Sequence, residues 1–210
     1  MKAYYERNGI VIYHGDCREI LPGLKADCVV TDPPYGIGAL WSRGAMVGKN
    51  GSSRLWGKGE TWDDQPAPRE AIDEILRRNV PSLIWGGNYF HLPPSRCWLV
   101  WDKVQEFSGA DAELAWTNLD AAVRVFRMSR VEANTHGEER KSHPTEKPRA
   151  LMRWCLGFIE GGTILDPFMG SGTTLVAAKL EGRKAIGIEI EERYCEIAAK
   201  RLAQEVFDFK

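Results

Sequence analysis

Thr163-Ile164-Leu165-Asp166-Pro167-Phe168-Met169-Gly170-Ser171-Gly172-Thr173 is the stretch on which the fold turns. It opens on a short apolar strand, Thr163 to Asp166, and crosses a glycine-rich loop into a helical pattern from Thr174 to Glu181. A second strand, Lys184 to Glu189, and a last helix, Glu191 to Val206, complete a β-α-β-α run, so the chain reads as α/β. Glycines at 170 and 172 let backbone pass close to a ligand without a Cβ in the way, and the helix start beyond them presents free N–H groups. The loop is not G-x-G-x-x-G and lacks a Gly-Lys-Ser/Thr ending, which makes a nucleoside a better guest than a pyrophosphate. Glu189, at the end of the next strand, stands where a carboxylate can accept both hydrogen bonds of a ribose diol.

A second motif lies far upstream. Gly9 to His14 and Asp27 to Thr31 read as strands, with a brief helical turn over Cys17 to Lys25 between them. The second strand runs directly into Asp32-Pro33-Pro34-Tyr35, where two prolines end ladder pairing and force an extended turn. Asp32 and Tyr35 are thereby placed at the carboxyl end of a strand, where open α/β sheets bind ligands. An exocyclic amine on an aromatic base is a poor nucleophile, because its lone pair is delocalised into the ring. Asp32 and the Pro33 carbonyl supply two acceptors for its N–H groups, Pro34 makes the turn rigid, and Tyr35 offers a flat face on which an extruded base can stack. Stabilising the developing positive nitrogen, and aligning it with a methyl donor, would then supply the rate without a covalent intermediate.

With 210 residues, 43% hydrophobic and 27% charged, the chain suits one compact domain, residues 1–210. No apolar run of membrane-spanning length and no apolar leader is present, which reads as a soluble, cytoplasmic protein without a membrane partner. The five cysteines show no CxxC spacing, so they are expected to be reduced packing residues with neither a metal site nor a disulfide framework. The formal net charge of −1 is unusual for a nucleic-acid binder, and its distribution matters more than its sum. Over residues 36–62, Arg43, Lys49, Arg54 and Lys58 face only Glu60, and over 124–149 seven cations, including Arg130 and Arg140, face four carboxylates. Two basic segments on an acidic body put attractive potential where a polyanion docks, although solvated loops would look the same.

Between the motifs, helices are expected over Pro66 to Asn79 and Pro148 to Ile159. Strands are expected over Ser82 to Trp85, Cys97 to Trp101, Leu114 to Trp116 and Ala122 to Phe126. Residues 36–62 hold seven glycines and no sustained period, the pattern of a mobile substrate or DNA loop, and Trp41 and Trp56 within it could wedge into a base stack. Residues 103–141 are the remaining room for a small target-recognition region. Asn88 follows a strand end and could line a base pocket or cap its loop. Arg43, Lys49, Arg54, Lys58, Asn88, Arg130 and Arg140 form the expected DNA-contact set, and the candidates for base edges, Arg54, Gln105, Arg130, Asn134 and Arg140, are each a phosphate contact or a solvated residue before a base reader.

These motifs resemble those of the DNA amino-methyltransferases, the N6-adenine and N4-cytosine DNA methylase family. There an acidic-Pro-Phe-x-Gly-Ser-Gly-Thr loop wraps the methionine and ribose portion of S-adenosylmethionine, which implies that Asp166, Phe168, Gly170, Ser171, Gly172 and Thr173 bind that cofactor together with Glu189. Ser142-His143-Pro144-Thr145-Glu146-Lys147-Pro148 matches the family's His-Pro-Thr-x-Lys-Pro stretch, and Thr145 and Lys147 become candidates for the methionyl carboxylate. Gly15-Asp16-Cys17 matches the element that approaches the cofactor adenine, so Asp16 is a further candidate, or else an N-cap. The catalytic tetrapeptide precedes the cofactor loop, the circularly permuted order of the β class, and a Rossmann-like methyltransferase fold is implied.

The Asp-Pro-Pro-Tyr form points to adenine N6 in double-stranded DNA, with N4-cytosine as the alternative at the same site. Two readings remain behind it. An RNA or protein-amide enzyme typically carries Asn-Pro-Pro-Tyr after the cofactor loop, the reverse of the order here, and an inactive binding module would not need Asp32, Tyr35 and Glu189 intact. Absence of a Pro-Cys dipeptide argues against C5-cytosine chemistry. The family also implies a prokaryotic or phage setting, links to restriction and modification, and a homodimer.

Overall fold

A computed structural model of the chain describes residues 2–38, 63–104, 110–129, 132 and 146–204. Its strands are β1 (Tyr5–Arg7), β2 (Ile10–His14), β3 (Cys28–Thr31), β4 (Ser82–Trp85), β5 (Trp98–Asp102), β6 (Ala112–Thr117), β7 (Arg124–Arg127), β8 (Thr163–Asp166) and β9 (Lys184–Glu189). Its helices are α1 (Cys17–Ile20), α2 (Arg69–Arg77), α3 (Arg149–Leu156), α4 (Thr173–Leu180) and α5 (Glu192–Ala203). The chain divides into two compact units, one of Met1–Thr31 with Glu139–Lys210 and the other of Asp32–Glu138. The division falls between Thr31 and Asp32, directly before the Asp-Pro-Pro-Tyr turn.

In the first unit the strand order is β1-β2-β9-β8-β3. Strands β2, β9, β8 and β3 run parallel, and β1 pairs antiparallel with β2. Parallel strands covered on both faces are apolar throughout, and β3 is buried at all four positions. Strand β1 was not expected, since Tyr5-Glu6-Arg7 is short, half-exposed and carries no apolar alternation. Helices α4 and α5 meet at Gly172, where a Cβ would stand 2.8 Å from the Cβ of Ala198. Gly172 also has φ of 84°, so glycine serves both the close approach and the left-handed entry to α4. Beyond α4, the Arg183 guanidinium donates to the carbonyls of Leu156, Ile159 and Gly161, satisfying groups left open where α3 ends.

In the second unit the order is β4-β6-β5-β7, with β4 and β5 antiparallel to β6 and β7 parallel to β5. Trp85, Trp101 and Trp116 fill its interior. The indole N–H of Trp101 donates to the Met128 carbonyl at 2.9 Å and that of Trp116 to the Pro93 carbonyl at 2.8 Å. Helix α2 is shorter than the expected Pro66 to Asn79, because Pro68 caps its start and Asn79 turns left-handed with φ of 52°. The expected Ala122 to Phe126 strand is β7, which starts two residues later and ends one later, and the described part of residues 103–141 includes the sheet strands β6 and β7.

All five cysteines are free thiols and buried, so packing is their role. Desolvation pushes the Cys17 thiol up to about 11 and the Cys195 thiol up to about 12, far from a reactive thiolate. Among the described residues no cluster of His, Cys, Asp or Glu is placed to hold a metal ion, and no helix is long and apolar enough to cross a membrane.

Candidate active site

Parallel pairing brings three strand ends to one edge of the first unit. His14 of β2 is level with Glu189 of β9, and Gly187 of β9 is level with Asp166 of β8. Gly15-Asp16, the Asp166 loop and Glu189 therefore leave the sheet side by side. Glu189 is fixed by its neighbours: Oε2 accepts the Gly170 amide at 3.0 Å and Oε1 the Glu191 amide at 2.8 Å. Burial raises its carboxyl above the ordinary range, with the amides of Glu191, Gly170 and Ile190 opposing that rise. A carboxylate oxygen has a second lone-pair site, so this group can still grip a diol.

The loop lies tightly on the sheet and opens at one point. Met169 donates its amide to the Ile188 carbonyl at 3.1 Å, and a Cβ on Gly187 would stand 2.4 Å from the Met169 sulfur. Gly170, with φ of 52°, faces open space. That is the place where a ligand can approach backbone beside Glu189.

Three of the expected cofactor contacts have a different local role in their side chains. Asp166 is 2% exposed, and its Oδ1 accepts from the Thr31 hydroxyl at 2.7 Å and the Phe168 amide at 3.2 Å. Ser171 and Thr173 are also buried and point to Arg201 and Glu146. Arg201 donates to the Ser171 carbonyl at 2.8 Å and hydroxyl at 3.1 Å, and to the Thr173 hydroxyl at 3.3 Å. Glu146 accepts from the Thr173 hydroxyl at 2.8 Å and pairs with Arg201 at 2.7 Å. These three side chains shape the loop from behind, and backbone is what it presents.

Asp16 caps α1 by accepting the Arg18 amide at 2.9 Å, and the Arg18 guanidinium holds its carboxyl below the usual range. Lys147 is buried near α3, where its charge partly offsets the upward pull of burial on the Cys155 thiol. Thr145 lies outside the described residues, as do Arg43, Lys49, Arg54, Lys58, Arg130 and Arg140 of the expected DNA-contact set and Trp41 and Trp56.

The second unit carries Asp32 to Tyr35. The Tyr35 hydroxyl donates to Asp32 Oδ1 at 2.5 Å. Its ring is already stacked, on Tyr89 at 5.0 Å between centroids and 13° between planes, with Phe90 edge-on at 6.4 Å. Gly86 lies against the same ring, and a Cβ there would come within 2.1 Å of Cε1. Asn88 is exposed in the turn Gly87–Tyr89 that supplies this stacking partner. Asp63 Oδ1 accepts the Tyr35 amide at 2.6 Å and the Gly36 amide at 2.9 Å. In the same unit, the buried Lys103 pairs with the half-buried Glu113 at 2.6 Å.

The sequence alone did not single out Thr31, Asp63, Gly86, Tyr89, Glu146 or Arg201 for these roles. Thr31, Gly86, Tyr89 and Glu146 lay beside motif residues in the sequence, whereas Asp63 and Arg201 had no local signal.

Known proteins match both units. The N6/N4 family model, described as DNA methylase, aligns with residues 94–200. The Type II methyltransferase M.ScaI of Streptomyces caespitosus is 26% identical over 97% of this chain and 84% of its own. The Type II methyltransferase M2.DpnII of Streptococcus pneumoniae is 27% identical over 97% and 93%. Among solved structures, the M1.HpyAVI–SAM complex superposes with a TM-score of 0.58 at 25% identity, over 93% of this chain and all of that one. PvuII DNA methyltransferase, cytosine-N4-specific, shares the fold with a TM-score of 0.61 at 16% identity, over 99% and 91%. The family match spans just over half of the 210 residues and takes in the loop from Asp166 to Thr173 and Glu189, and on that ground this chain belongs to the N6/N4 DNA methylase family.

Proposed function

We propose that the protein methylates the exocyclic N6 amine of adenine in double-stranded DNA, with S-adenosylmethionine as methyl donor. The observation that carries this reading is the pair formed by Tyr35 and Asp32, a hydroxyl donating to a carboxylate at the end of a double-proline turn. The residues fit the donor: Glu189 is an anchored carboxylate beside Gly170, whose missing side chain leaves room for a nucleoside. Bound there, S-adenosylmethionine would supply an electrophilic methyl group.

The chain's own groups do the rest. Glu189 holds the ribose diol, Asp16 borders the adenine end, and Phe168, Gly170 and Gly172 line the loop. Thr145 and Lys147 are assigned to the methionyl carboxylate. Asp32 and the Pro33 carbonyl accept the two N–H groups of an adenine extruded from the duplex, which favours the pyramidal nitrogen as it attacks. Asp32 then stands ready for the proton that the methylated nitrogen sheds. Since Tyr35 already stacks on Tyr89, a base entering this site shares or displaces that ring. Arg43, Lys49, Arg54, Lys58, Asn88, Arg130 and Arg140 are assigned to the DNA surface, chiefly to phosphates.

The N4 amine of cytosine has the same donor pattern and would be served by the same acceptors. The aspartate at the head of the tetrapeptide favours adenine. Exposing unmodified DNA to the protein and labelled S-adenosylmethionine, then resolving the nucleosides by mass spectrometry, separates the two. Loss of label transfer in Asp32→Ala tests the role of the carboxylate.

A further inference from the structure

Asp-Pro-Pro-Tyr is hard to hold in place. Pro33 and Pro34 carry no N–H, so the first backbone donor after Asp32 is the amide of Tyr35. Asp63 takes it, at 2.6 Å, and takes the Gly36 amide with the same oxygen at 2.9 Å. The Ile37 amide also acts on this carboxylate. Gly36 has φ of 76°, so three successive amides curve around one anion in the manner of a backbone nest. Asp63 is 8% exposed and 28 residues from Tyr35 in the chain.

The same short segment grips the turn elsewhere. Gly38 donates to the Asp63 carbonyl at 2.8 Å, Tyr35 bridges Pro66, and Ala67 donates to the Pro34 carbonyl at 2.9 Å. Orientation of the Tyr35 peptide sets the direction of its Cα–Cβ bond, and so decides whether the phenol reaches Asp32.

We propose that Asp63 is a positioning residue for methyl transfer, holding the Tyr35-Gly36 amides so that Tyr35 and Asp32 keep the geometry the target amine requires. This rests on the proposed reading of Asp32 as the acceptor of that amine. On this reading Asp63 acts through the backbone that carries Tyr35.

The test uses the full chain with Asp63→Ala, Asp63→Asn, Asp63→Glu and Asp32→Ala, measuring kcat, KM for DNA and S-adenosylmethionine affinity. Asp63→Ala is expected to lower kcat by about 100-fold, the scale of a misplaced reacting group, with cofactor affinity unchanged. Asn keeps one oxygen able to accept both amides and should recover most of that loss. Glu retains the charge but moves it by one methylene, and should remain impaired. Parent-level kcat in Asp63→Ala overturns the proposal. So does a loss that appears in cofactor affinity and is equal in Ala and Asn. If Asp63→Ala does not fold, Asp63→Glu decides, and parent-level kcat there is again contrary. Full methylation by Asp32→Ala would instead overturn the reading of the site itself, whatever Asp63 does.

Discussion

The Thr31 hydroxyl donates to Asp166 Oδ1 at 2.7 Å, and both residues are buried. One bond therefore ties the residue just before Asp32-Pro33-Pro34-Tyr35 to the first residue of the Asp166 to Thr173 loop. Thr31→Val keeps the shape of the side chain and removes the donor, leaving a buried carboxylate one partner short. The expected cost is about 1–3 kcal/mol of unfolding free energy in urea titration, with Thr31→Ser close to the parent. Equal stability of Val and parent proteins would show that the bond carries no net weight.

On the proposed reading, Glu189 accepts both ribose hydroxyls as a carboxylate and loses acceptor capacity when protonated, and burial raises its carboxyl above the ordinary range. The sign follows: affinity for S-adenosylmethionine should be full above that raised value and weaken as pH falls through it. The decline should begin at a higher pH than an ordinary glutamate would give. Glu189→Gln should bind about 10–100-fold more weakly at neutral pH, the worth of hydrogen bonds to a charged group, and lose this pH dependence. Titration calorimetry across pH reads both effects, and an unchanged profile in the Gln variant would remove Glu189 from the site.

Arg201 joins α5 to the loop through Ser171, Thr173 and Glu146. Arg201→Met removes the ion pair to Glu146 and the donors to Ser171 and Thr173, and a loss of about 1–3 kcal/mol is expected, the scale of hydrogen bonds to charged groups. Cofactor affinity should weaken while kcat at saturating cofactor stays near the parent value. A fall in kcat with intact affinity would place Arg201 in the chemistry, contrary to its position behind the loop.

Gly86→Ala sets a methyl 2.1 Å from the Tyr35 ring at a residue with φ of 66°. The ring must move. Methyl transfer should drop while S-adenosylmethionine affinity holds, and an Ala variant with parent activity would mean that the exact seat of Tyr35 is unimportant.

What could be read from sequence was what is local. Strands β3, β8 and β9 announced themselves by β-branched runs ending at Thr31, Asp166 and Glu189, so the strand ends carrying the motifs were legible. Helix ends were overshot where proline and left-handed residues stop them, as at Pro68 and Asn79. Asp63 and Arg201 gave no signal because their partners lie 28 and 30 residues away and no pattern in either neighbourhood announces the contact. Asp166 and Ser171 were identified by motif, but the inward turn of their side chains depends on Thr31 and Arg201, which only the folded chain brings near.

The most direct measurement is nucleoside mass spectrometry of unmodified double-stranded DNA after incubation with the protein and isotopically labelled S-adenosylmethionine. N6-methyladenine carrying the label, absent with Asp32→Ala, is the expected result. Labelled N4-methylcytosine alone would contradict the assignment to adenine, and unlabelled DNA from a folded, cofactor-binding protein would contradict methyl transfer to DNA altogether.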